Sequence, residues 1–384
     1  MMLTAPAAGQ TIDPPAATRR STPDEITDWI AQLSHDDYAV RQAAADRLLA
    51  EGAAAERALV EMVDAPDPEI RAAARRLITL IEKSEFDRRL EEFAADTDGR
   101  RGMVLPGWIE FGRLVGTDEP ARALFVDMQR QEAALLAGIF GSEQKHAEPE
   151  WEQRLFRLYN WQLTSGGRNA APPLGSCATM LFLSSLPDAR GTERGAIGVA
   201  ELTKRPPIRD ALLDTSRQPT IRKLLLAWVN GCPVQSQHVL SQRLELMSLY
   251  GLSESLPTAL AAARGEPPFL MAATEIRVRA ILLVGRFGSE ENVVDLEPLL
   301  DDTTVVANQG LPGNVQTVQL RDVALAAMLH LTGQPLADYG FNRAQRHPLM
   351  LFHAQTLVLE SDTQRATALA KWREWQAEHR GAAG

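Results

Sequence analysis

Apolar residues recur at helical spacing along most of the chain, and capping signals divide them into short pieces. Thr22-Pro23-Asp24-Glu25 sets a threonine cap, a proline in the first turn and a glutamate three residues after the cap, so a helix is expected from there to about Leu33. Ser34 to Asp37 repeats the capping pattern, Val40, Ala44 and Leu48 fall on one face, and Gly52 ends the second helix. A third is expected over Ala53–Val63. Asp67-Pro68 opens a fourth, with Ile70, Ala74, Leu77, Ile78 and Ile81 as its stripe. Further on, Trp151, Leu155, Leu158 and Tyr159 make one stripe and Ile221, Leu224, Leu225 and Trp228 another, between breaks at Pro106-Gly107, Gly166–Gly175, Pro187–Gly191, Pro206-Pro207 and Pro267-Pro268. No run alternates convincingly enough to predict a strand. Asp302 to Thr317, polar and amide-rich, reads as a long connection, a mobile insertion in preference to a binding element. At the end, Ser361 to Gln364 gives a capping box, and Ala368, Leu369, Trp372 and Trp375 face one way while Arg365, Lys371, Glu374 and Glu378 face largely elsewhere, the asymmetry of a helix that closes an array.

Self-comparison adds the main architectural signal. Asp37-Tyr-Ala-Val-Arg-Gln-Ala-Ala44 aligns without gaps on Asp67-Pro-Glu-Ile-Arg-Ala-Ala-Ala74, 30 residues later. Val278-Arg279-Ala280 and Leu320-Arg321-Asp322-Val323 echo the motif, as does Ile221-Arg222-Lys223 more weakly. An aspartate turn, a β-branched residue, an arginine and small residues at a helix start resemble HEAT-repeat proteins, in which helical hairpins stack into an extended array. That resemblance implies an all-α fold, an α-solenoid of stacked antiparallel hairpins that is irregular in its middle. The expected divisions are 1–21 as a tail or signal-peptide remnant, 22–83 as N-terminal repeats, 84–265 as the irregular region and 266–384 as C-terminal repeats with a capping helix. Pro106-Gly107-Trp108, Ala121-Arg122-Ala123-Leu124-Phe125 to Leu136, and Arg321 through Ala326 to Tyr339-Gly340-Phe341 are also similar to a group of uncharacterised, often exported bacterial proteins with HEAT-like helices. That likeness implies no known activity and favours export.

Composition narrows the partners. The 384 residues carry a formal charge of −10, which disfavours a nucleic-acid phosphate backbone as partner. No stretch approaches the roughly 20 apolar residues of a membrane span. The opening Met1 to Gln10 resembles the small-residue end of a secretory signal without its basic and apolar parts. Either those parts lie upstream, predicting an exported or periplasmic protein, or the segment is a plain tail, predicting a cytoplasmic one.

Candidate chemistry is sparse. Cys177, in Gly175-Ser176-Cys177, matches half of a papain-type signature, and His330 lies 153 residues downstream, but the flanking cysteine and tryptophan of that signature are absent. The expectation is a packed thiol, with a cysteine hydrolase as the alternative. Cys232 is the only other cysteine, so one bridge in an oxidising compartment is the limit of disulfide chemistry. His347 and His353, six apart, do not share a helical face, and there is no His-Glu dipeptide of the kind HEAT-like metal-dependent hydroxylases use. Ser165-Gly166-Gly167-Arg168 lacks a P-loop lysine, and Gly112 to Gly116 lacks the third glycine of a dinucleotide loop. Arg88-Arg89, Arg100-Arg101 and Lys204-Arg205 are isolated basic pairs, unlike the basic concave surface of HEAT-like DNA glycosylases. No catalytic, cofactor or metal residues are assigned. The expected function is a non-catalytic scaffold for a protein partner, with an enzyme of unrecognised type using Cys177 as the alternative and a nucleic-acid-binding HEAT-like protein as a third reading behind it; Arg41 and Arg71 are expected to serve structure, and Trp151 and Trp228 to pack in the core.

Overall fold

Thr22 caps helix α1 (Pro23–Gln32) as its sequence demands: its hydroxyl accepts from Glu25 N, and the Glu25 carboxylate accepts from Thr22 N at 2.7 Å. The computed structural model describes residues 21–100, 102, 104–141, 148–161, 171–186, 191–233, 236–267, 273–309 and 316–380. The expected leader remnant at 1–20, the Ser165–Arg168 turn and Pro187–Arg190 lie outside them. The chain divides into a unit ending at Asp96 and a larger one from Thr97.

In the smaller unit, Asp37 caps α2 (Tyr38–Glu51), α3 spans Ala53–Glu61, and Asp67 caps α4 (Pro68–Ala95). The two aspartates do the same work, each accepting at 2.8 Å from the amide two residues on. Gly52 makes the break between α2 and α3 with φ 56°, a conformation that disfavours any side chain. Val40 and Ile70 are both the third residue of their helices, and each helix of the first hairpin packs on its counterpart in the second, α1 on α3 and α2 on α4. Arg41 and Arg71 are likewise equivalent. Arg41 donates to the carbonyls of His35 and Asp36, and Arg71 to that of Ala65, so each clasps the chain six residues back where it turns into its helix. The core is Ile26, Ile30, Leu33, Leu48, Leu59, Leu77 and Ile81 with the small Ala44, Ala55 and Ala74 between them. Ile70 is only half-buried at its edge. Helix α4 continues past the predicted stripe for 28 residues in all.

The larger unit contains α5 (Trp108–Val115), α6 (Glu119–Phe140), α7 (Glu148–Tyr159), α8 (Leu174–Ser184), α9 (Glu193–Thr203), α10 (Pro206–Leu213), α11 (Gln218–Gly231), α12 (Gln237–Tyr250), α13 (Leu256–Ala263), α14 (Thr274–Phe287), α15 (Leu320–Leu331) and α16 (Asp362–Arg380). Five of them form a row in which each packs on the next: α7, α9, α12, α14, α15. Side-chain bonds show that these neighbours run in the same direction. Glu152 accepts from Thr192 N near the starts of α7 and α9, and Leu155 lies against Gly198 further along both. Ser236 and Glu193 meet where α12 and α9 begin, and Tyr250 donates to the Thr203 carbonyl where both end. Arg279 and Arg286 of α14 donate to the carbonyls of Ser241 and Ser248 of α12, 38 residues back in both cases. Gly285 is pressed against Ala327, fixing α14 on α15.

Arginines, two of them buried, hold the helices of this row to their antiparallel neighbours. Arg243 of α12 donates to the Val229 and Cys232 carbonyls at the end of the antiparallel α11, while Arg222 near the start of α11 reaches those of Tyr250 and Gly251. Arg277 repeats the first contact on Ala263, again 14 residues back, and pairs with Asp302 at 2.8 Å. A helix leaves its last carbonyls without internal partners, and a guanidinium fork satisfies two at once.

Two expectations are corrected. The segment from Asp302 to Thr317 is not a plain connection: Val305–Gln309 and Gln316–Gln319 pair as an antiparallel hairpin, β1 and β2, with an irregularity after Val305. The fold is predominantly helical, as expected, and the described residues add a two-stranded ribbon whose strands are too short and amide-rich to show an alternating pattern. The ribbon is anchored, with Leu320 N donating to Thr304 O at 2.9 Å and Arg365 to Thr317 O at 2.9 Å. Arg365 is the second correction. It is not on the wet side of the last helix but 2% exposed, paired with the equally buried Asp322 at 2.7 Å. Ala368, Leu369 and Trp372 are buried as the stripe predicts.

Candidate functional site

The residues that hinted at nucleophilic chemistry have packing roles. Gly175 lets α8 approach α6 so closely that an added Cβ would sit 2.2 Å from the Asp127 carbonyl oxygen. Ser176 donates to the Glu132 carboxylate, which also receives the Arg154 fork at 2.7–2.9 Å. Glu132 is 6% exposed and sits where α6 is kinked, at φ −135° and ψ 30°. Cys177 is buried, and burial pushes its thiol up to about 12, with Arg205 opposing and Glu132 adding to the shift. Among the described residues no imidazole acts on it. His330 instead lies in the last turn of α15, with Nδ1 3.4 Å from Arg346 Nη2 and its ring edge-on to Phe352. Cys232 is a second buried free thiol, pushed up to about 11 by burial.

Of the basic pairs, Arg101 lies outside the described residues, and four other members are held locally. Arg88 bonds Glu85 and Glu92 of its own helix, Arg100 pairs with Asp98, Lys204 with Glu201 and Glu245, and Arg205 lies over the Tyr159 ring. Trp151 and Trp228 are in the core. Among the described residues no three His, Cys, Asp or Glu side chains are grouped to hold a metal ion, and no helix is long and apolar enough to cross a membrane. His347 and His353 are brought together all the same: neither is helical, and their rings meet edge-on with centroids 4.5 Å apart. A spacing rule for one helical face could not find a contact made by a turning segment.

A cleft of about 440 Å³ lies between the first turns of α6 and α11. Asp118 caps α6 by accepting from Ala121 N at 3.0 Å and pairs with Lys223 of α11 at 3.6 Å, while Asp214 and Ser216 form the turn that leads into α11. The walls are Pro120, Ala123, Leu124, Thr220 and Ile221. Two of its charged residues are neutralised nearby, Asp127 by Arg130 at 3.5 Å and Arg217 by Asp214 at 3.6 Å. The Ser216 hydroxyl holds the Asp214 carboxyl below its ordinary range. What remains for a ligand is a largely apolar trough whose rim carries Glu119 and the Ser216 hydroxyl beside these two paired groups. The Asp118-Glu119-Pro120 helix start was not singled out in the sequence, and nothing in the sequence joins it to Ile221.

No protein-family model matches the chain, and no curated protein matches it.

Proposed function

We propose that the chain is a non-catalytic, HEAT-like helical scaffold, of the α-solenoid kind, that presents its surface to a protein partner. The row of α7, α9, α12, α14 and α15 carries this reading, because parallel helices stacked at near-constant offset are what repeated hairpins produce, and such stacking builds long grooves without reactive groups. The cleft between α6 and α11 is the docking point we assign.

Filling the cleft tests the proposal. Ala123 is exposed on its wall, so Ala123→Trp should leave melting unchanged while abolishing retention of the protein that the unaltered chain retains from native extract. Retention unaffected by the tryptophan would sink the cleft, and turnover of an ester or peptide lost in Cys177→Ser would establish the hydrolase instead.

A further inference from the structure

The buried residues that line the cleft between α6 and α11 are Leu124, Thr220 and Ile221, and they make its floor. Thr220, the third residue of α11, is the polar one and is 2% exposed. Among the described residues its hydroxyl has no hydrogen-bond partner, whereas the nearby Ser216 hydroxyl is taken up by Asp214 at 2.7 Å. Ser255, Trp228 and Trp372 keep unpartnered polar atoms sealed away from solvent; Thr220 Oγ1 is not sealed, and its access is through the cleft. A hydroxyl so placed is reached by little water, so a ligand group that bonds it makes a contact the fold leaves unmade.

Charge is excluded from that floor. Glu119 and Arg217 are exposed at the rim with opposite signs, Asp127 is held by Arg130, and none of the buried lining residues is ionisable. A carboxylate, phosphate, ammonium or guanidinium brought down to Thr220 would leave water without meeting a counter-ion. The group that bonds Thr220 is therefore neutral and polar, carried on an apolar body that packs on Pro120, Ala123 and Leu124. Serine and threonine have no such body to fill a trough of about 440 Å³. The amides of asparagine and glutamine bring two donors and a two-lone-pair acceptor to a floor with one hydroxyl. An indole carries its N–H on its flank, against the apolar walls. A phenol carries its O–H at the tip, farthest from the backbone, and aromatic anchors dominate the buried centres of protein interfaces.

We propose that the cleft takes a tyrosine side chain of the partner protein, its ring between Pro120, Leu124 and Ile221 and its hydroxyl bonded to Thr220 Oγ1. The phenol is the more acidic hydroxyl, so it donates and Thr220 accepts. This inference rests on the reading of the cleft as the docking point and names the side chain that enters it.

N-acetyltyrosinamide and N-acetylphenylalaninamide differ by that one hydroxyl. Each is titrated into the full chain while the methyl resonances of Leu124 and Ile221 are followed by NMR. The tyrosine probe should bind about fivefold more tightly than the phenylalanine probe, the worth of one net hydrogen bond. Thr220→Val keeps the side-chain shape without the hydroxyl, so the two probes should bind it alike, whereas Thr220→Ser should keep the preference. Because the hydroxyl has no partner in the fold, Thr220→Val should also melt no lower than the unaltered protein. A fall of more than about 2 °C would overturn the premise. Equal binding of the two probes to the unaltered chain, a preference that survives Thr220→Val, or tighter binding of N-acetyltryptophanamide would overturn the tyrosine assignment. So would the absence of any methyl shift at about 20 mM probe. Any of these results beside a loss of partner retention in Ala123→Trp would remove the tyrosine and leave the docking cleft standing, so the two readings fail separately.

Discussion

Removing Arg365 probes the least expected contact in the fold. Its guanidinium bonds Asp322 at 2.7 Å and the Thr317 carbonyl at 2.9 Å, while its contact to Asp362 is at the surface. Asp322 is 1% exposed, and its other oxygen accepts from Gln319 N at 2.8 Å to cap α15. Arg365→Met keeps most of the apolar stem but leaves the carboxylate buried with a single donor. Breaking a buried pair from one side costs about 3–5 kcal/mol, because the remaining charge has neither water nor partner. At about 2–4 °C per kcal/mol for large domains, melting should fall on the order of 10 °C. Adding Asp322→Asn removes the stranded charge, keeps an acceptor for Gln319 N, and should recover about half of the loss or more. Burial already holds the Asp322 carboxyl above its ordinary value, outweighing Arg365. Without the arginine it rises further. A folded-state carboxyl that binds its proton more tightly than the unfolded one stabilises at low pH and loses that contribution as pH rises, so the deficit of Arg365→Met should be smaller at about pH 5 than at about pH 8. Calorimetric unfolding across that range, with chemical denaturation as a second measure, reads all three quantities. A shift below about 1 °C, or a deficit that does not depend on pH, would refute the account.

Gly175→Ala should destabilise by about 1–3 kcal/mol or more, since the added methyl meets a backbone carbonyl that cannot swing away; a melting point within about 1 °C of the parent would contradict that. Cys177 and Cys232, raised to about 12 and about 11 by burial, should react with a thiol reagent at mildly alkaline pH only on unfolding, and rapid labelling of the native protein would revive the nucleophile. His347 is held below its ordinary value, so the folded state binds its proton less readily than the unfolded chain, and stability should fall as pH drops through about 6.5; His347→Asn, whose Oδ1 replaces the acceptor, should flatten that slope. Ile70→Asp should cost less than an aspartate at the fully buried Leu77, because Ile70 is half-buried at the edge of the seam; equal costs measured by denaturation would show the edge to be closed.

Local signals settled local structure. The Thr22 box, the Asp37 and Asp67 caps, Gly52 and the 30-residue repeat each rest on atoms within a few residues of one another, so helix starts, a helix stop and the equivalence of Arg41 with Arg71 were legible in the amino-acid sequence alone. The Trp151, Trp228 and Trp372 stripes were legible too, since helical period alone selects the face that must be covered. Partners across the fold were not. Whether Ser176 and Cys177 are chemistry or packing depends on Glu132 and on the burial that α6 and α8 impose from distant parts of the chain. Arg365 looked solvated because a helical wheel knows nothing of an aspartate 43 residues earlier. The ribbon at Val305–Gln319 exists through hydrogen bonds between strands that carry almost no pattern, and His347 meets His353 through a turn. The cleft between α6 and α11 has the same origin, one wall from each of two helix starts about a hundred residues apart, so only the packing of the chain could assemble it.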